Sequence, residues 1–166
     1  SASRVGTGRL PSRANAAAIR AMCSGVTRTS PCPKPALASS AHARAISQRI
    51  HEALWSAEDA FYFDRHMDGR LSRVRAVTGF LPLLLDDLPH ERVAALVAAL
   101  RNPRDFCTAF PVPSVSASDP EFSTDMWRGA TWLNLNYLVH RGLRMQGRIE
   151  DARWLAERSL AFVGKY

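Results

Sequence analysis

The chain has 166 residues, 46% of them hydrophobic, with 22 basic against 15 acidic side chains. That composition is ordinary for a globular protein and excludes disorder throughout, and the length suits one domain better than two. No apolar run approaches the ~20 residues of a bilayer-crossing helix; the best, 79–85, contains Pro82, stops at Asp86 and Asp87, and reads as core.

The net charge of +7 is unevenly placed. Every acid lies at or after Glu52, and eight bases precede it, so the remaining 14 bases and 15 acids leave the rest at −1. Basicity is thus a property of the N-terminal segment. That segment holds no aromatic residue on which bases could stack, so a basic-tailed nucleic-acid binder is a weak alternative. Cys23, Cys32 and Cys107 form neither a disulfide framework nor a CxxC zinc pair, which makes a reducing, cytoplasmic setting the default expectation. The five histidines are scattered without metal-ligand spacing, and there is no nucleophile elbow, phosphate loop or HExxH. Neither a metal nor a cofactor is expected.

Residues 1–40 are rich in Ala, Ser, Arg, Pro and Gly. Three origins fit: a disordered basic tail, an organellar targeting peptide, or a non-native extension such as a shifted reading frame. The abrupt change of composition favours the third. From 41 the pattern turns helical, with Ala43, Ile46, Ile50 and Leu54 on one face. Phe61-Tyr62-Phe63 reads as a short aromatic strand, followed by an Asp/Gly turn over 64–69. A short buried helix is expected at 78–85. Another follows, with Asp87 as cap, Pro89 in its first turn and Val93, Leu96, Val97 and Leu100 as its face, ended by Asn102-Pro103.

Residues 109–124 form a long irregular stretch with three prolines and four serines. Long loops inside compact domains often carry function. The pattern then predicts a helix over 127–146 closed by Gly147, and an antiparallel partner over 149–163 with Ala152, Leu155, Ala156, Leu160 and Val163 inward. Helix, loop, helix, tight turn, helix points to an all-α toroid or solenoid. No fixed-period repeat is visible.

The candidate chemistry lies at 127–138, where two tryptophans, an arginine and two asparagines crowd one helix entrance. Indole faces cover the C–H faces of sugar rings, and Arg and Asn bond hydroxyls. Spacing alone favours packing over binding, because buried aromatics usually pack. The motif WRGxxWxNxNYL, preceded by PSxSxxDPxFSxD, resembles that of the six-hairpin, (α/α)6-barrel glycosidases, in particular glycoside hydrolase family 63 and mannosylglycerate hydrolase-like domains. The similarity runs from about residue 45 to 166 and includes FYFDRHMDGR and TGFLPLLLDDLP. Ala130 replaces the usual proline, and His66 stands among residues that are more often acidic.

The resemblance implies a partial (α/α)6 toroid over 41–166 and inverting hydrolysis of α-linked glucosides or mannosides. Two carboxylates roughly 6.5–9.5 Å apart perform such a reaction. In the family the acid is an upstream aspartate and the base a downstream glutamate, and both positions are expected to fall outside this chain, leaving it inactive alone. Sugar contacts are expected from Trp127, Arg128, Trp132 and Asn136, with Asp125 and Asn134 as second choices. Asp119 reads as a turn residue, Glu121 as a solvated charge, and Asp125 as a helix cap or partner of Arg128. A non-catalytic carbohydrate-binding module is the main alternative. Exposed apolar flanks are expected on so small a part of a ring.

Overall fold

The computed structural model describes residues 41–123 and 125–165. The expectations for 1–40, including the short helix-forming run at 16–22, lie outside the described residues. Among the described residues, four α-helices run in order: α1 (Ala41–Ala53), α2 (His90–Arg101), α3 (Leu133–Met145) and α4 (Ile149–Val163). A 3-10 helix (Val77–Leu84) lies between α1 and α2, after a hairpin of two-residue strands, β1 (Trp55–Ser56) and β2 (Phe61–Tyr62). Among the described residues the fold is all-α in character, with four α-helices, one 3-10 helix and one small hairpin. No helix among the described residues is long and apolar enough to cross a membrane.

Three phenylalanines nucleate the core. Phe61, Phe80 and Phe106 are fully buried and meet pairwise with ring centroids 4.8–5.8 Å apart. Two of the three contacts are edge-to-face, the geometry the ring quadrupole prefers. The 3-10 helix can lie on β2 because Gly79 has no side chain: a Cβ there would stand 2.3 Å from the Phe61 ring. The same device seats α3, where a Cβ on Gly142 would stand 2.6 Å from that of Leu83. Gln146 then fastens the end of α3, its amide donating to the carbonyls of Leu83 and Leu85 at 2.8 and 2.7 Å.

The turn between α3 and α4 follows the sequence pattern. Gly147 adopts φ +72°, and Arg148 N–H donates to Leu143 O at 2.8 Å, closing the helix. Buried Asp151 ties α4 back to α2, accepting from Arg101 Nε at 2.9 Å and from Arg148 Nε at 3.0 Å.

Three expectations need correction. Asp87 does not cap α2: Pro89 holds the N-cap position without a side-chain bond, and Asp87 accepts from Ser47 and from His51 Nε2 (3.2 Å) on α1. Ile46 and Ala43 face outward, and Ser47 is the residue of α1 that is buried, because that clasp rotates the helix. On α4, Ala152 and Leu155 are inward, whereas Leu160 and Val163 are exposed. Cys107 is half-buried and free.

Candidate functional site

The loop that carries the motif is fastened to the core by its serines and aspartates. Buried Asp105 accepts from Ser116 Oγ (2.9 Å), Ser118 Oγ (2.7 Å) and Asn102 Nδ2 (2.6 Å). Asp119 accepts from the backbone N–H groups of Arg75 (3.0 Å) and Glu121 (2.8 Å), so it is a turn residue with both oxygens engaged. Ser114 reaches across the loop: its Oγ donates to the carbonyl of Trp127 and accepts from Gly129 N–H at 2.8 Å. Ser114 N–H donates to Ala130 O at 3.0 Å, and Thr131 Oγ1 donates to Phe110 O at 2.5 Å.

These bonds draw residues 127–131 into an extended turn, and α3 begins only at Leu133. The expected helix start at 127 is therefore wrong by six residues. Two backbone features make the turn. Met126 has φ +54°, and the place of a Cβ on Gly129 lies 2.1 Å from the carbonyl oxygen of Ser123. Gly129 thus serves the close approach of backbone to backbone.

On this turn the two indoles stack, with centroids 3.9 Å apart and planes within 10°. Trp127 is the outer ring, 63% exposed; Trp132 is half-buried, and its Nε1–H is buried with no hydrogen-bond partner. Beside them the guanidinium of Arg128 pairs with Glu121, both exposed. Asn134 is exposed in the first turn of α3, next to exposed Leu133 and Tyr137. Asp125 is exposed; its carboxylate neither caps α3, whose N-cap is Trp132 without a side-chain bond, nor pairs with Arg128.

Asn136 stands apart. It is 2% exposed, its amide donates to Pro111 O (2.9 Å) and Ser159 Oγ (3.0 Å), and its Oδ1 accepts from Val112 N–H (3.1 Å). It braces the loop against α3 and α4 from behind the indoles. Apolar cavities lie elsewhere: one of about 330 Å³ is lined by Ile50, Leu54, Phe63, Leu81 and Leu85 among others, none of them site residues. Among the described residues no cluster of three His, Cys, Asp or Glu could hold a metal ion.

Residues 14–166 match the family of mannosylglycerate hydrolase MGH1-like glycoside hydrolase domains. The chain belongs to that family. The match begins inside the basic N-terminal segment. The mannosylglycerate hydrolase of Thermus thermophilus is 34% identical over 114 residues, covering 68% of this chain and 27% of that protein. That of Rubrobacter radiotolerans is 31% identical over 123 residues, covering 70% and 28%. The solved structure of a glycoside hydrolase family 63 mannosylglycerate hydrolase from Thermus thermophilus, in complex with Tris and D-glycerate, superposes with a TM-score of 0.62 at 30% identity. It covers 69% of this chain and 28% of that one. The chain therefore spans roughly a quarter of the length of the relatives it matches.

Within this glycoside hydrolase segment, the structure brings together Trp127, Trp132 and Arg128, with Asp125 and Asn134 on the same exposed stretch, and turns Asn136 inward. Ser114 is the residue sequence reasoning missed; Glu121, read as a solvated charge, is exposed, and its pairing with Arg128 was not expected. Glu121 sits seven positions before Arg128 across an irregular turn, a spacing that carries no signal. Ser114 was legible only as one of four serines in a loop.

Proposed function

We propose that this chain supplies the aromatic side of the sugar site of a glycoside hydrolase that acts on α-linked glucosides or mannosides by inversion. The observation that carries the reading is the stacked indole pair, exposed on one side, with an arginine beside it on a braced loop. Indoles shed water from the C–H face of a pyranose, and the guanidinium donates to its hydroxyls. The relatives named mannosylglycerate hydrolases make a glycoside of glycerate the first substrate to try.

An inverting reaction needs one carboxylic acid to protonate the leaving oxygen and a second carboxylate to activate water. Of the acids on this loop, Asp119 has both oxygens bonded to backbone N–H groups and Glu121 is paired with Arg128. Only Asp125 stands unengaged by these bonds, and one carboxylate is not a pair. The two catalytic carboxylates are therefore assigned to other parts of the domain.

Titration of the chain with methyl α-mannoside, methyl α-glucoside and mannosylglycerate, followed by tryptophan fluorescence, tests the reading. Weak saturable binding that Trp132→Ala abolishes is the expected result, with no mannose released from mannosylglycerate. Absence of any binding, or turnover by the chain alone, contradicts it. A chimera in which this segment replaces its counterpart in the Thermus thermophilus enzyme separates a hydrolase part from a binding module. The hydrolase part restores turnover, whereas the module binds without it.

A further inference from the structure

We propose that copies of this chain join head to tail. The exposed face of α1 in one copy receives the exposed stripe of α4 in the next, with the two helices running in the same direction. The inference is independent of the sugar-site reading and concerns the two bare helix faces alone.

The two faces differ in shape. On α1, Ile46, Arg49, Ile50 and Ala53 line a hollow of about 260 Å³, closed at one end by Leu54. Those first four stand at i, i+3, i+4 and i+7, the spacing of the hole that takes one side chain from a facing helix. On α4 the apolar residues project instead. Leu160 and Val163 are 51% and 54% exposed, and with Ile149 and Ala156 they follow a heptad seam. Arg153 takes the remaining place in that seam and pairs with Glu150 at 3.0 Å. A ridge fits a hollow, whereas two ridges or two hollows leave gaps. Leu160 is the side chain placed to enter.

Charge at the rims selects the same pairing. At 100° per residue, Arg49 lies about 80° to one side of the α1 face, and Glu157 about 90° from the α4 stripe in the opposite sense. Both are exposed, and among the described residues neither forms an ion pair. Two-fold pairing of like faces sets the helices antiparallel, and so brings Arg49 towards Arg49 or Glu157 towards Glu157. With α1 on α4 and both running the same way, the basic rim meets the acidic one. Once Leu160 is in the hollow, Glu157 stands within a turn of Arg49 along that shared rim. Exposed ion pairs contribute little stability, so the rims choose the partner and direction while the apolar seam supplies the strength.

The test uses two variants of the whole chain, each with one face blocked. Ile46→Glu sets a charge in the hollow, and Leu160→Glu removes the side chain that fills it. Both sites are about half exposed, so neither change opens the core. Sedimentation velocity is the readout, and circular-dichroism melts check that each variant folds, with Ile46→Gln and Leu160→Gln in reserve. Wild type is expected to grow past a dimer as its concentration rises, because head-to-tail contacts repeat until a ring closes. Each variant alone is expected to stay monomeric. Their equimolar mixture is expected to form a dimer and stop, since one partner keeps an intact α1 face and the other an intact α4 stripe. Adding Arg49→Glu to the Leu160→Glu partner is expected to weaken that dimer about two- to fivefold, and Glu157→Lys in the other partner to restore it. Association of either variant alone at wild-type strength would show that like faces pair, which overturns the proposal. So does a mixture, or a wild-type chain, that stays monomeric at every concentration. A mixed dimer indifferent to Arg49→Glu overturns the shared direction of the helices.

Discussion

At position 136 only one side chain does the work. The amide of Asn136 donates twice and accepts once, to Pro111 O, Ser159 Oγ and Val112 N–H, at 2% exposure. Alanine leaves Val112 N–H and Pro111 O buried without partners, at about 1–3 kcal/mol for an unsatisfied group. Aspartate keeps the acceptor but sets a carboxylate against the carbonyl of Pro111. Urea unfolding should therefore show Asn136→Ala destabilised by about 2 kcal/mol and Asn136→Asp at neutral pH by at least as much. A neutral effect of Asn136→Ala would mean that the brace is not used. The sequence carried this information in a form easily passed over. Asn134 and Asn136 are two apart on a helix, and residues so spaced point to nearly opposite sides, so both cannot face one ligand. Asn136, Val139 and Leu143 recur at three and seven, which is the buried stripe of α3.

At the scale of elements, the helices were legible because their apolar periods are sustained: Val93, Leu96, Val97 and Leu100 all face inward from α2. Their beginnings were not. A capping aspartate before Pro89 and a tryptophan-rich entrance at 127 are both plausible starts locally. Each was overruled by a partner distant in sequence, Ser47 for Asp87 and Ser114 for the turn at 127–131. The clasp of Ser47, His51 and Asp87 joins α1 to the start of α2 and continues through Tyr62, which lies 2.7 Å from His51 Nδ1 and accepts from Arg92 at 3.1 Å. The Ser47 hydroxyl, with His51 behind it, holds the carboxyl of Asp87 below its usual value despite some desolvation. A lowered carboxyl pKa contributes stability above the unfolded value, near 3.8, and that contribution is lost as pH falls through the folded value. Ser47→Ala should therefore be less stable than wild type at pH 7, and the gap should narrow below pH 4 as Asp87 protonates in both. Urea midpoints at pH 7 and pH 3 check this, and a gap of equal size at both would assign the effect to packing. The seat of α3 gives an independent test. Gly142→Ala drives a Cβ to 2.6 Å from that of Leu83, which α3 relieves only by moving off the 3-10 helix. A loss of about 1–3 kcal/mol in the same assay is expected, as for overpacked cores.

For the whole molecule, the telling element is α4, whose apolar arc is wider than the surface that covers it. Ala152 and Leu155 are buried, while Ile149, Leu160 and Val163 are about half exposed. At 100° per residue the exposed three fall within about 60° of one another, beside the buried stripe rather than opposite it. The sequence showed the full arc, and for that reason all of it was expected to face inward. In a toroid of hairpins each helix is flanked on two sides, and here one flank of α4 is covered by α3 and the other is bare. Exposed Ile46 on α1 repeats the pattern at the other end of the fold. Bare apolar stripes seek partners, and contiguous ones larger than a few hundred Å² are uncommon on monomers. The chain at +7 resists association by charge repulsion, so salt, which screens that repulsion, should promote it. Sedimentation velocity at rising protein concentration and at two salt levels is expected to show reversible self-association, stronger at high salt. Leu160→Glu with Val163→Lys places opposite charges on the stripe without touching the core, and should restore a monomer whose melting temperature is unchanged or higher. A wild-type chain that stays monomeric and melts in one sharp transition would show that the stripe is too small to matter.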